Sequence, residues 1–178
     1  MARWLVGLVL ISSSGFSMAA LAETSIIELL SDEGNLTPQE FLLQVEQDYP
    51  GIISEFEIDV ENGELLYEMS MIDTSAKTIT EFEFRAKEGQ LVTLKVSKLE
   101  ADDSDELTAV NLMQDKSLTF YALVVKAMKN KQAYILEAQL DHDLGISYLE
   151  LKLINLDGKS KIAFDIKTLR PLPLLKWN

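Results

Sequence analysis

The 178 residues contain no cysteine, one histidine and four prolines, and 29 acidic residues outnumber 16 basic ones. Without cysteine there can be no disulfide, no thiol nucleophile and no lipid-modified cysteine, so stability must come from packing. The lone His142 cannot build a zinc site, which needs several nitrogen or sulfur ligands. A Gly-x-Ser-x-Gly elbow and a phosphate-cradling glycine-rich loop are also missing. No catalytic residue is identified, no cofactor is implied, and the chain reads as a non-enzyme. The shortage of positive charge, −13 overall, argues against nucleic acid and anionic lipid, which would be repelled over roughly 8–10 Å. Basic proteins, basic peptides and divalent cations remain open as partners.

What is present begins with an export signal. Arg3 precedes an apolar run from Trp4 to Ile11, and small residues lead to Ala20-Leu21-Ala22. Residues 1–22 therefore read as a signal peptide cleaved before Glu23, the run being too short for a permanent span of about 30 Å. Export to the periplasm, or beyond it, follows as the expectation, with no stable membrane anchor left after cleavage. The mature chain would hold 156 residues (178 minus 22), with 15 basic against 29 acidic and a net charge of −14.

The mature chain is organised around a hairpin that occurs twice. Phe56, Ile58 and Val60 alternate with Glu57, Asp59 and Glu61, Asn62-Gly63 supplies the turn, and Leu65, Tyr67, Met69 and Met71 resume the apolar phase. At an offset of 82, Thr37 meets Thr119, Phe41 meets Leu123, Ile58 meets Leu140 and Gly63 meets Gly145. A two-residue shortening later, Phe82 and Phe84 match Ile162 and Phe164. Self-similarity at a fixed spacing implies duplication. The expected fold is α+β, two tandem repeats, each one helix packed on a four-stranded antiparallel sheet.

Unit 1 covers 37–98 and unit 2 covers 117–178, preceded by a lead at 23–36 that is either a short helix or floppy. Thr37-Pro38-Gln39-Glu40 is a capping box that starts a helix, with Phe41, Leu42, Val45 and Tyr49 inward and Gln44, Glu46, Gln47 and Asp48 toward water. The second helix is placed at about 118–131, with Tyr121, Val124, Val125 and Met128 inward. Strands are expected at 54–61, 64–72, 79–87 and 91–98, then 134–141, 146–154, 160–167 and 172–177, the last on an edge because of Pro171 and Pro173, with Trp177 as a plug. Between the units, 99–116 carries Glu100, Asp102, Asp103, Asp105 and Glu106 and reads as a solvated acidic linker. Its spacing does not match a calcium loop.

The cadence Ile58-Asp59-Val60-Glu61-Asn62-Gly63-Glu64-Leu65-Leu66-Tyr67-Glu68-Met69, followed by Phe84-Arg85-Ala86-Lys87-Glu88-Gly89-Gln90-Leu91, resembles the PepSY domain family. There the third strand commonly ends in an acidic or small residue, then a turn with Gly, then an aliphatic strand. Unit 2, Phe164-Asp165-Ile166-Lys167-Thr168-Leu169-Arg170-Pro171, keeps Asp165 and Thr168 but has Leu169 where Gly is expected. The resemblance implies a non-catalytic extracytoplasmic module of the kind found in metallopeptidase propeptides and proposed to restrain peptidases. The tandem architecture also resembles, at the level of fold, proteinaceous β-lactamase inhibitors.

The candidate site is the face of unit 1 that the helix leaves open. Alternation puts Glu57, Asp59, Glu68, Glu81 and Glu83 there together, and like charges on neighbouring strands destabilise a sheet. Asp141, His142 and Asp143 at the second hairpin are a further candidate, read either as part of a cation site or as a solvated turn. Two functions follow. One is a regulator that binds a protein or basic peptide, such as a periplasmic peptidase; the other is a cation-responsive or structural envelope module.

Overall fold

The computed structural model describes residues 26–173. The signal peptide expected at 1–22 and the plug expected of Trp177 lie outside the described residues. Residues 26–30 are helical (α1) and bury Leu30. The next helix, α2 (Pro38–Asp48), starts where the capping box places it: Thr37 Oγ1 accepts from the Glu40 backbone, and the Glu40 carboxylate accepts from the Thr37 backbone. Phe41, Leu42 and Val45 are buried beneath it.

Strands β1 (Ile52–Glu61), β2 (Glu64–Asp73), β3 (Thr78–Arg85) and β4 (Gln90–Lys98) follow as an antiparallel meander. After helices α3 (Ser104–Asp115) and α4 (Phe120–Ala127) comes a second meander, β5 (Tyr134–Asp143), β6 (Ile146–Asn155), β7 (Gly158–Asp165) and β8 (Arg170–Leu172). Among the described residues the fold is mixed α/β, four helices with one antiparallel sheet of eight strands in the order β4-β3-β2-β1-β5-β6-β7-β8. This corrects the expected pair of four-stranded sheets. The first strands of the two meanders pair with each other, Glu55–Glu57 against Gln139–Glu137, so neither has an inner edge. Alternation within a strand reports burial but not which strand lies beside it.

One face of the sheet is apolar and covered. Phe41 of α2 sits with its ring centre 4.9 Å from both Tyr67 and Phe84, and Phe56 lies 5.3 Å from Tyr67. These tilted and edge-on contacts each add about 0.5–1.5 kcal/mol beyond area burial. The Tyr67 hydroxyl, buried, donates to the Leu36 carbonyl at 2.5 Å, which ties the segment before α2 onto the sheet. Leu149, Leu151 and Leu153 of β6 continue the same core under α4.

Three further expectations are corrected. The acidic stretch at 99–116 is not a solvated linker: α3 spans most of it, packs along β5, and buries Ala109, Val110 and Met113. Its carboxylates Asp105 and Glu106 occupy the first turn, where the helix dipole favours negative charge. In α4 the inward stripe is Phe120, Leu123, Val124 and Ala127; of the expected residues Val124 and Met128 are buried, Tyr121 is half-buried and Val125 is exposed. The Thr119 cap, whose hydroxyl accepts from the Ala122 backbone, sets that phase.

The third concerns Glu46, expected to face water. Its Oε1 accepts from the backbone of Phe120 at 2.7 Å and of Tyr121 at 3.3 Å, so a side chain of α2 satisfies the N-terminus of α4. Replacing Glu46 by Ala leaves the partly buried Phe120 and Tyr121 amides without that acceptor and should lower unfolding stability by about 1–2 kcal/mol. A shift of the urea midpoint with unchanged slope checks it; an unshifted midpoint would show that solvent replaces the carboxylate.

Candidate functional site

Strand pairing turns the predicted acidic face into a defined row. Across the sheet, Glu83 of β3 opposes Glu68 of β2, Glu68 opposes Glu57 of β1, and Glu57 opposes Glu137 of β5. The four carboxylates therefore stand on neighbouring strands about 4.8 Å apart. Thr93 of β4 closes one end and Lys152 of β6 the other, the latter ion-paired to Glu137. A second row runs beside it, through Lys95, Glu81, Ser70, Glu55, Gln139 and Glu150. In that row Lys95 pairs with Glu81 at 2.6 Å, and Glu150 reaches Lys161 at 2.5 Å. Positive charge thus sits toward both flanks and leaves the middle acidic.

A shallow groove of about 310 Å³ lies over this region, lined among others by Glu55, Glu57, Glu68, Glu81 and Glu83. Burial pushes the Glu55 carboxyl above its ordinary range, and Glu57, Glu137, Glu106 and Glu68 push it further. Glu68 is raised for the same first reason, with Asp59, Glu57, Glu83 and Glu61 adding to it. Glu106 of α3 is also raised, mainly by burial; its Oε1 accepts from Gln139 at 3.4 Å, while its buried Oε2 has no hydrogen-bond partner.

Of the residues singled out in the sequence, Glu57, Glu68, Glu81 and Glu83 are brought together around the groove. Asp59 lies one row away, opposite Leu66, with its carboxylate held by the Val60 backbone at 2.7 Å. Asp141 is four residues along β5 from Glu137, roughly 13 Å at strand rise. The Asp141-His142-Asp143 cluster does not form around one imidazole. Strand alternation turns His142 to the face opposite Asp141; His142 Nδ1 meets Ser147 Oγ at 2.8 Å, and Asp141 accepts from the Tyr148 hydroxyl at 2.6 Å. Burial first and that carboxylate second push the Tyr148 phenol well above its usual range. Among the described residues no group of three or more histidines and carboxylates is arranged to hold a metal ion.

Three residues central to the face, Glu55, Glu106 and Glu137, were not singled out. Glu55 shares the alternation phase of Glu57, which was the available signal. Glu106 was hidden by its place in an acidic run, although Leu107, Val110 and Met113 recur at the three-residue interval of a helix face.

No protein-family model matches the chain, and no curated protein matches it. The PepSY resemblance therefore rests on the residues quoted for it. A solved structure of a candidate lipoprotein from Clostridium difficile is similar over 82% of this chain and 95% of its own, at 16% identity and a TM-score of 0.44. That likeness is too loose to bear on function. Among the described residues no helix is long and apolar enough to cross a membrane.

Glu55 supplies a test of the electrostatics. Its folded-state pKa is raised, so its contribution to stability is intact below the ordinary value of 4.5 and is lost as pH rises through the folded value. Glu55→Gln should therefore unfold at a higher temperature than the natural chain at pH 7, and the difference should vanish below about pH 4. Paired melts across that range check it, and a gain that persists at low pH would assign the effect to packing.

Proposed function

We propose that the chain is a non-catalytic exported protein of PepSY type that binds a basic protein partner through the open sheet face and restrains or regulates it, a periplasmic peptidase being the fitting kind. The observation that carries the reading is the row Glu83, Glu68, Glu57 and Glu137. Directly opposed like charges cost a sheet up to about 1 kcal/mol per pair, and this row holds three such contacts in succession. A cationic surface laid across the groove would neutralise what the fold leaves uncompensated. The electrostatics also favour rapid association and suppress acidic competitors.

The reading includes a duplicated chain with units at 37–98 and 117–178. Supporting it, the bulges between Ile53 and Glu55 and between Ile135 and Glu137 stand 82 residues apart, as do the positive-φ turn pairs Asn62-Gly63 and Leu144-Gly145. The capping threonines, Thr37 and Thr119, keep the same interval.

Changing Glu57, Glu68 and Glu83 together to Gln tests the proposal. Stability should rise by about 1–2 kcal/mol as the repulsion is removed, and capture of a basic partner from periplasmic extract should fall at least tenfold. In the natural chain that capture should weaken as salt rises, and a captured peptidase should lose activity on adding the chain back. A triple variant that loses stability, or binds as before, would overturn the assignment to this face. Capture restored by calcium alone would favour a cation-responsive module instead.

A further inference from the structure

The two edges of the sheet differ. At one end β8 is three residues long and carries Pro171, with Pro173 just beyond it, so β8 is a poor template for regular pairing. At the other end β4 runs nine residues without a proline and, among the described residues, pairs on one side only, with β3. Its outer backbone groups form an open ladder, a template for another strand.

The side chains of β4 reinforce this. Leu91, Val92, Leu94 and Val96 are 41–58% exposed. Leu94 stands beside Phe82 and Leu91 beside Phe84, both phenylalanines buried, so the core's apolar face continues onto β4 and stops uncovered. In charge, β4 also departs from the rest: it carries Lys95 and Lys98 and no carboxylate, in a chain with net charge −13.

We infer that β4 is a dimerisation edge, at which a second copy of the same chain adds its β4 antiparallel in a seam centred on Leu94. The charges choose this occupant. In that register Val92 faces Val96, Leu94 faces its own mate, and Lys95 faces Thr93, so no like charges meet. The acidic row is closed at β6 by Lys152 but ends at β4 on the uncharged Thr93. The mate's Lys95, itself paired to the mate's Glu81, lands next to that Thr93, two strands from Glu83. The bulge of β4 opposite the Glu83–Phe84 step limits the seam at Val92, and two-fold symmetry returns Val96 of the mate to that end. Because a two-fold seam uses the same edge of both copies, assembly closes at two copies instead of growing into a filament.

The dimer does not depend on the function proposed for the acidic face, and its salt response is opposite. Two molecules of the same high negative charge repel at long range, so salt strengthens the dimer while weakening capture of a basic partner.

Sedimentation equilibrium of the purified protein over a range of concentrations, at low and high salt, tests the inference. A monomer–dimer equilibrium that shifts at least tenfold toward dimer at high salt is expected, with the outward-pointing amides of Leu94 and Val96 protected from exchange only in the dimer. Leu94→Lys places two lysines face to face on the axis and should abolish the dimer. Its side chain is half exposed, so the melting temperature of the monomer should hold. Val96→Pro, which removes a backbone donor, should do the same. The Gln triple variant on the acidic face should still dimerise. Only monomer at every concentration and salt, a dimer that survives Leu94→Lys, or protection of β4 only when a different protein is added would each overturn the inference.

Discussion

The structure depends on a junction of three residue pairs. Glu55, Phe56 and Glu57 of β1 meet Gln139, Ala138 and Glu137 of β5, and through them two meanders become one sheet. So short a ladder offers few hydrogen bonds, and other contacts share the work of holding it. On the covered face the small Ala138 stands beside the large Phe56, both fully buried, and the core passes without a break from one half to the other. Above it, Glu46 of α2 accepts from the first amides of α4. Along β5, α3 buries an apolar side where the pairing with β1 has ended. Packing thus supplies the cooperativity that strand pairing alone would lack.

The same junction creates the acidic face. β1 and β2 already oppose Glu57 to Glu68, but pairing with β5 adds Glu137 and brings Glu106 near Gln139. Burial and mutual repulsion then raise the carboxyls of Glu55, Glu68 and Glu106. Elsewhere on that face charges are paired, as in Lys95 with Glu81 and Lys161 with Glu150. The repulsion is therefore localised to the centre of the sheet, and the cationic side chains lie to its sides.

Local chemistry was legible wherever it is local. The Thr37 capping box, the Asn62-Gly63 turn and the alternation of Phe82 and Phe84 with Glu81 and Glu83 each specify their element within a few residues. Helix phase was less so: in α4 every residue from Phe120 to Val125 except Ala122 is a large hydrophobe, and periodicity cannot choose among them without the Thr119 cap. The acidic run misled because charge marks both a solvated linker and the first turn of a helix. Adjacency in sequence groups Asp141 with His142, whereas neighbours in a strand point to opposite faces.

By itself, then, the sequence determined the class of the strands and of the two threonine-capped helices, the inward residues of the strands and the acidity of the outward ones, because these follow from capping, turn chemistry and a two-residue period. Only the tertiary structure decided that the described strands form one sheet, that four glutamates share a row across it, and that a nine-residue strand lies at one end and a three-residue strand at the other. The physical reason is that strand adjacency and register are set by long-range pairing and packing. Phe56 beside Ala138 joins residues 82 apart in the chain, and nothing local to either announces the other.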